Sequence, residues 1–228
     1  MLKQKYISQE KLIASYDYTD IASGLGYSIF YGANVSDGTA SGSYIITPNT
    51  FYSDKITTFD DMGVAVEKMF DGNFDTSSFN LPKDVKGDAI IQIPLGIGRK
   101  TGQTGDIAYI NASGSIVHYD GTTEISLGSF KSTEFSVNDA VKAYDYSVTS
   151  TKVNLTEQHF KVGDILRLKL EIWKRGGVAG GRYFGFGHDP KNQPDPETLA
   201  AGGTIYDDTA TTYGPTTMEV HVPFKIDL

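Results

Sequence analysis

The sequence predicts an all-β chain: an antiparallel two-sheet β-sandwich with at most one short helix, for which a jelly roll fits best. Three observations predict it. Between Gly163 and Lys174, Leu166, Leu168, Leu170 and Ile172 alternate with Arg167, Lys169, Glu171 and Trp173, the period of a strand with one dry face. About eight to ten strand segments recur at spacings of roughly 10–15 residues, punctuated by Gly, Pro, Asn and Asp. These segments do not alternate with helical patterns, which excludes a parallel α/β sheet. An immunoglobulin-like sandwich fits less well, because no Cys–Trp–Cys framework is present.

The chain has 228 residues, of which 39% are hydrophobic, enough for a core and against wholesale disorder. Its net charge of −8 argues against direct nucleic-acid binding, which needs a clustered basic face. Without cysteine there are no disulfides and no thiolate metal ligands. No apolar run reaches the roughly 18 residues of a membrane span, and no apolar signal follows Met1–Lys5. The expectation is a soluble chain made in a cytoplasm.

Residues 1–14 read as a polar N-terminal arm and 15–228 as a single β-sandwich domain. Tyr27–Tyr31 is a short strand. Gly24 and Gly26 before it read as turn glycines, since no strand precedes them and no third glycine follows at phosphate-loop spacing. A Gly/Ser/Thr loop at Asn34–Ser43 leads to two short strands, Tyr44–Thr47 and Phe51–Thr58, separated by Pro48 and Asn49. Asp60–Phe70 is the one candidate helix, with Val64, Met69 and Phe70 on its apolar side. A strand competes, because Val64 and Val66 alternate with polar residues. Asp71–Asp75 reads as an Asx-rich turn. Asp71, Asn73 and Asp75 have the opening spacing of a calcium loop, but the glycine is second rather than sixth and no glutamate stands at the twelfth position.

From Gly87 the β pattern is continuous. Ile91, Ile93, Leu95 and Ile97 share one face, and Pro94 within the run predicts an edge position or a bulge. Asp106–Tyr119 is one long strand, or two broken at Ser113-Gly114. Asp120-Gly121 signals a hairpin into Thr123–Leu127. Ser132–Val137 and Tyr144–Leu155 precede the strand Ile165–Trp173. Arg182–Asn192 is a short aromatic strand ending in a turn, and residues 193–215 form a long loop. In the last segment Met218, Val220, Val222, Phe224 and Ile226 alternate with polar residues. This strand is expected to share a core with Gly163–Lys174.

The residue chemistry points to no catalytic, cofactor or metal site. His118 and His221 fall on polar-facing strand positions and His159 in a polar turn; each is expected to face solvent or make a single bond. His188-Asp189-Pro190 reads as a turn held by its histidine rather than a metal site. The carboxylate pairs Asp60-Asp61, Asp207-Asp208 and Asp17/Asp20 stand no higher than any acidic chain would offer a glycosidase. Trp173 and Tyr183 are the candidates for a sugar platform, against the commoner use of aromatics in sheets and subunit interfaces.

Three stretches carry a family resemblance. They are Tyr16–Tyr27 with Phe30-Tyr31-Gly32; Phe160–Asp164 with the strand after it and Gly185–Asn192; and Val222–Leu228. In these the chain resembles a group of structural proteins of tailed bacteriophages; Asp60–Lys86 lies outside the resemblance. The resemblance implies a non-enzymatic virion protein with a β-sandwich body. It would be a capsid decoration or minor capsid protein that binds the major capsid protein or other virion subunits, as a homo-oligomer. The alternative it leaves open is a tail fibre or spike module binding a host receptor or carbohydrate.

Overall fold

The computed structural model describes residues 14–15, 25–35, 43–51, 56–60, 65–99, 107–138, 144–176, 182–191 and 216–225. These build thirteen strands and no helix. They are β1 (Ala14–Ser15), β2 (Leu25–Val35), β3 (Ser43–Thr47), β4 (Ile56–Asp60), β5 (Glu67–Asp75), β6 (Lys83–Arg99) and β7 (Ala108–Tyr119). After them come β8 (Glu124–Lys131), β9 (Phe135–Val137), β10 (Tyr144–Phe160), β11 (Ile165–Gly176), β12 (Arg182–Gly187) and β13 (Glu219–Lys225). The N-terminal arm apart from Ala14, the loop at 193–215, and Asp17, Asp20, Asp61, Asp207 and Asp208 lie outside the described residues.

The ladder runs β4-β12-β6-β13-β2-β3-β5-β11-β7-β8, with β1 beside β2, β10 beside β6 and β9 beside β7. It folds into two layers. One holds β10, β6, β12, β13 and β2; the other holds β5, β11, β7, β8 and β9. A single parallel bridge, Ile45 of β3 with Asp75 of β5, joins them along one side. On the other side β8 lies against β10 so closely that a Cβ on Gly128 would come within 2.8 Å of the Asn154 carbonyl oxygen. The chain passes between the layers from β5 to β6, β6 to β7, β9 to β10, β10 to β11 and β11 to β12, so each layer of the sandwich is woven from distant parts of the sequence.

The core forms where the dry faces meet. Leu166, Leu168, Leu170 and Ile172 of β11 share one buried cluster with Val220, Val222 and Phe224 of β13 and with Ile91, Ile93, Leu95 and Ile97 of β6. The two best-patterned strands therefore do point into one core. At the β5 end the cluster is aromatic: Phe70 lies 4.9 Å from Phe186, and Tyr44 4.9 Å from Phe74.

Four local expectations change. The described part of Asp60–Phe70 contains no helix. Glu67–Phe70 opens β5, where pairing with β11 sets Phe70 against Ile172 and Phe74 against Leu168. Asp71–Asp75 is consequently strand interior rather than a turn, and among the described residues no group of three acidic or histidine side chains is placed to hold a metal ion. Gly26 lies inside β2, which starts earlier than the sequence suggests. Pro94 sits in a central strand, not at an edge. On one side β6 meets β13 as far as Gln92 and β12 from Leu95, so Pro94 falls in the seam between two partners, where a missing N–H leaves no ladder bond unmade. Of the two readings of the stretch around Ser113-Gly114, the single strand is the one found: β7 runs unbroken through Gly114.

Candidate functional site

The outer face of the second layer carries the most developed surface. Across β11 the wet residues are Arg167, Lys169, Glu171, Trp173 and Arg175, and each is held by a charged neighbour. Arg167 holds Asp75 of β5 with two bonds, Nε–Oδ1 at 2.6 Å and Nη2–Oδ2 at 2.7 Å, and reaches Glu124 at the start of β8 at 2.5 Å. Its guanidinium also lies 4.2 Å from the Tyr119 ring centroid. Lys169 donates to the same Glu124. The bonds from Lys169 and Arg167 hold the Glu124 carboxyl below the usual carboxylate range.

At the other end of β11 this surface dips into an open groove of about 470 Å³. The β7–β11 register sets Asn111 opposite Trp173, Ser113 opposite Glu171 and Tyr109 opposite Arg175. Glu171 is the organising group. It accepts from the Trp173 indole Nε1 at 2.9 Å, from Lys68 Nζ at 3.1 Å and from the Ser113 hydroxyl at 3.3 Å. The Trp173 and Lys68 bonds keep its carboxyl below the ordinary range. Arg175 lies 3.7 Å over the Tyr109 ring, and its fork grips Glu134 at 2.8 and 2.6 Å. Asn111 is only 6% exposed yet lines this groove.

Of the two aromatic candidates, only Trp173 reaches this surface. Tyr183 is 3% exposed, within β12 where every residue is buried. Asn111 gave no signal in the sequence, because a lone asparagine in a strand reads as an ordinary wet-face residue; its position opposite Trp173 gives it meaning.

The histidines are drawn into the fabric of the fold. His118 does not face solvent: it is in phase with Ile110, Ala112 and Ile116 on the dry face of β7. There its Nε2 lies 2.6 Å from Asp164 Oδ2, and the Phe160 ring packs edge-on at 4.5 Å. The same Asp164 oxygen accepts the Lys161 backbone N–H at 2.7 Å, closing the turn into β11. His159 lies in β10 rather than a turn, bonded to Asp84 at 2.7 Å, and His221 bonds Glu219 on its own strand at 2.8 Å. His188 is fully buried, 2.7 Å from Thr57 Oγ1 and edge-on to Tyr44. Asp189 beside it accepts Lys191 N–H at 2.8 Å and Thr216 Oγ1 at 3.3 Å, and its own N–H reaches the Thr216 carbonyl at 2.9 Å. These bonds fasten the turn after β12 to the start of β13.

No family model and no curated protein matches this chain. Several solved structures align with it at low identity. A CocE/NonD-family hydrolase from Staphylococcus aureus aligns over 88% of this chain and 36% of its own, with 10% identity and a TM-score of 0.45. An aminopeptidase from a marine-sediment Thaumarchaeota archaeon aligns over 86% and 36%, with 6% identity and a TM-score of 0.41. A chain from the structure of infectious bursal disease virus, Gx strain, aligns over 93% and 56%, with 12% identity and a TM-score of 0.28. The chain thus spans about a third of the length of the first two proteins.

Proposed function

We propose that the chain is a non-enzymatic structural subunit of a tailed-bacteriophage virion, a capsid decoration or minor capsid protein that docks on the major capsid protein or other virion subunits as an oligomer. The family resemblance supplies the class. The observation that carries it to the molecule is how the polar chemistry is spent. His118, His159, His188 and His221 each bond a neighbouring side chain, and Arg167 clasps two strands at once. These groups stiffen a sandwich, as a particle component requires, and leave the broad strand faces as contact surface.

Image reconstruction of purified particles, with mass spectrometry of their proteins, tests the reading. The expected result is a stoichiometric chain with density fitting this sandwich on the head. Particles that lack the chain overturn it.

A further inference from the structure

We infer that the groove over β7 and β11, bounded by the end of β8 and Glu134, binds a neutral, hydroxyl-rich ligand, a glycan. This goes beyond the structural role and does not depend on it.

Three features of the groove select that chemistry. The first is volume: about 470 Å³ lies within the roughly 300–1,000 Å³ of small-molecule sites. The second is the wall. Trp173 offers a large apolar surface and is held in place by its bond to Glu171 and by Lys68, whose ammonium lies 5.7 Å from the ring centroid. The C–H face of a pyranose packs on such a ring while its hydroxyls stay at the margin. The third is the polar complement. Asn111 lines the groove opposite Trp173 and carries an amide with donor and acceptor side by side. Adjacent hydroxyls of a sugar answer both ends of it. Glu171 next to it is already ionised and oriented, with lone-pair capacity for a further hydroxyl.

Charge argues against the competing ligand classes. Of the groove's cations Arg175 is taken by Glu134, Lys174 lies 3.6 Å from Glu67, and the exposed Lys131 stands in the field of Glu134; its Glu171 is held by the adjacent Lys68. With both carboxylates and two of the three lining cations already engaged, the groove offers no converging set of like charges for a phosphate or an ammonium ligand. An uncharged polyol keeps every one of these pairs intact.

The single tryptophan of the chain is Trp173, so its emission reports on this groove alone. Full-length protein is screened on an array of neutral and anionic saccharides. Retained sugars are then titrated, as free neutral oligosaccharides, while Trp173 fluorescence is followed under excitation that spares tyrosine. The expected result is a saturable emission change that is insensitive to salt. Asn111→Ala weakens it about tenfold or more, as loss of a central contact does. Ser113→Phe fills the groove without removing a packed side chain and abolishes it; circular dichroism and melting confirm that both variants are folded. For a variant that fails to fold, the wild-type titration with the Ser113→Phe comparison decides. The inference is overturned if no neutral saccharide changes Trp173 emission, if binding in both variants stays within twofold of wild type, or if only anionic ligands bind and salt removes them.

Discussion

At Asp164 two influences oppose each other. Burial pushes its carboxyl up, but the Lys161 N–H and the His118 imidazole outweigh burial and hold it below the ordinary carboxylate value. A carboxyl whose folded pKa is depressed stabilises the fold above its unfolded pKa, about 4. That stabilisation is lost as pH falls through the folded value. Thermal melts of the wild type are therefore expected to fall on acidification below about pH 4. In Asp164→Asn the amide leaves the buried His118 and the Lys161 N–H with a poorer partner. The expected cost near neutrality is about 1.5–3 kcal/mol, the scale of a charge-assisted bond, and part of the acid sensitivity should disappear with it. Equal acid slopes in variant and wild type would assign the titration to other carboxylates. The sequence hid this residue pair. His118 counts as polar, so its phase with Ile110 and Ile116 passes unnoticed until Phe160 and the turn at Asp164 are brought over it.

Strands were legible in proportion to how different their two faces are. In β11 every second residue from Leu166 to Lys174 is buried, and Met218 just before β13 and Val220 and Val222 within it are fully so; a period of two announces both. β12 is buried on both faces and shows no such period, and β5 hides two core aromatics among aspartates. Pro94 was legible as an anomaly but not as a seam, since its tolerance depends on where two other strands stop. The groove was half legible: Trp173 stood out, while Asn111 depended on register. Register also explains Gly114, where the chain needs a glycine for room. A Cβ there would sit 1.9 Å from the Lys169 carbonyl oxygen, a backbone atom that cannot swing away. Gly114→Ala is expected to push β7 from β11 and destabilise the fold by roughly 1–3 kcal/mol in urea titration. Hydrogen exchange should quicken in the β7 and β11 amides first. A variant as stable as wild type would mean that the two strands part there at no cost.

For the molecule as a whole, the decisive feature is how far apart in sequence its partners lie. β13 is inserted between β6 and β2, pairing Glu219 with Tyr31 on one side and Val220 with Ile91 on the other. Nothing local prepares that position. The first long strand and the last must meet before the sheet closes, so loop-closure entropy is spent before burial repays it. Refolding is accordingly expected in roughly the millisecond-to-second range of sandwiches rather than the microseconds of helical bundles. The same wiring makes the end of the chain indispensable. Met218 packs over Gly32 so tightly that a Cβ there would meet its Cε at 2.1 Å, and its carbonyl accepts the Gly32 N–H at 3.0 Å. Removing residues 216–228 would leave open ladders on β2 and β6 and empty the core of Met218, Val220, Val222 and Phe224. Each loss is of the order of 2–5 kcal/mol, and together they match the roughly 5–15 kcal/mol by which a domain is stable. The shortened chain should therefore bind a hydrophobic dye, lose its cooperative melt and aggregate through its exposed strand edges. A truncated chain that still melted cooperatively would show that β2, β6 and the second layer suffice without β13. The interleaved topology would then be a consequence of folding rather than its condition.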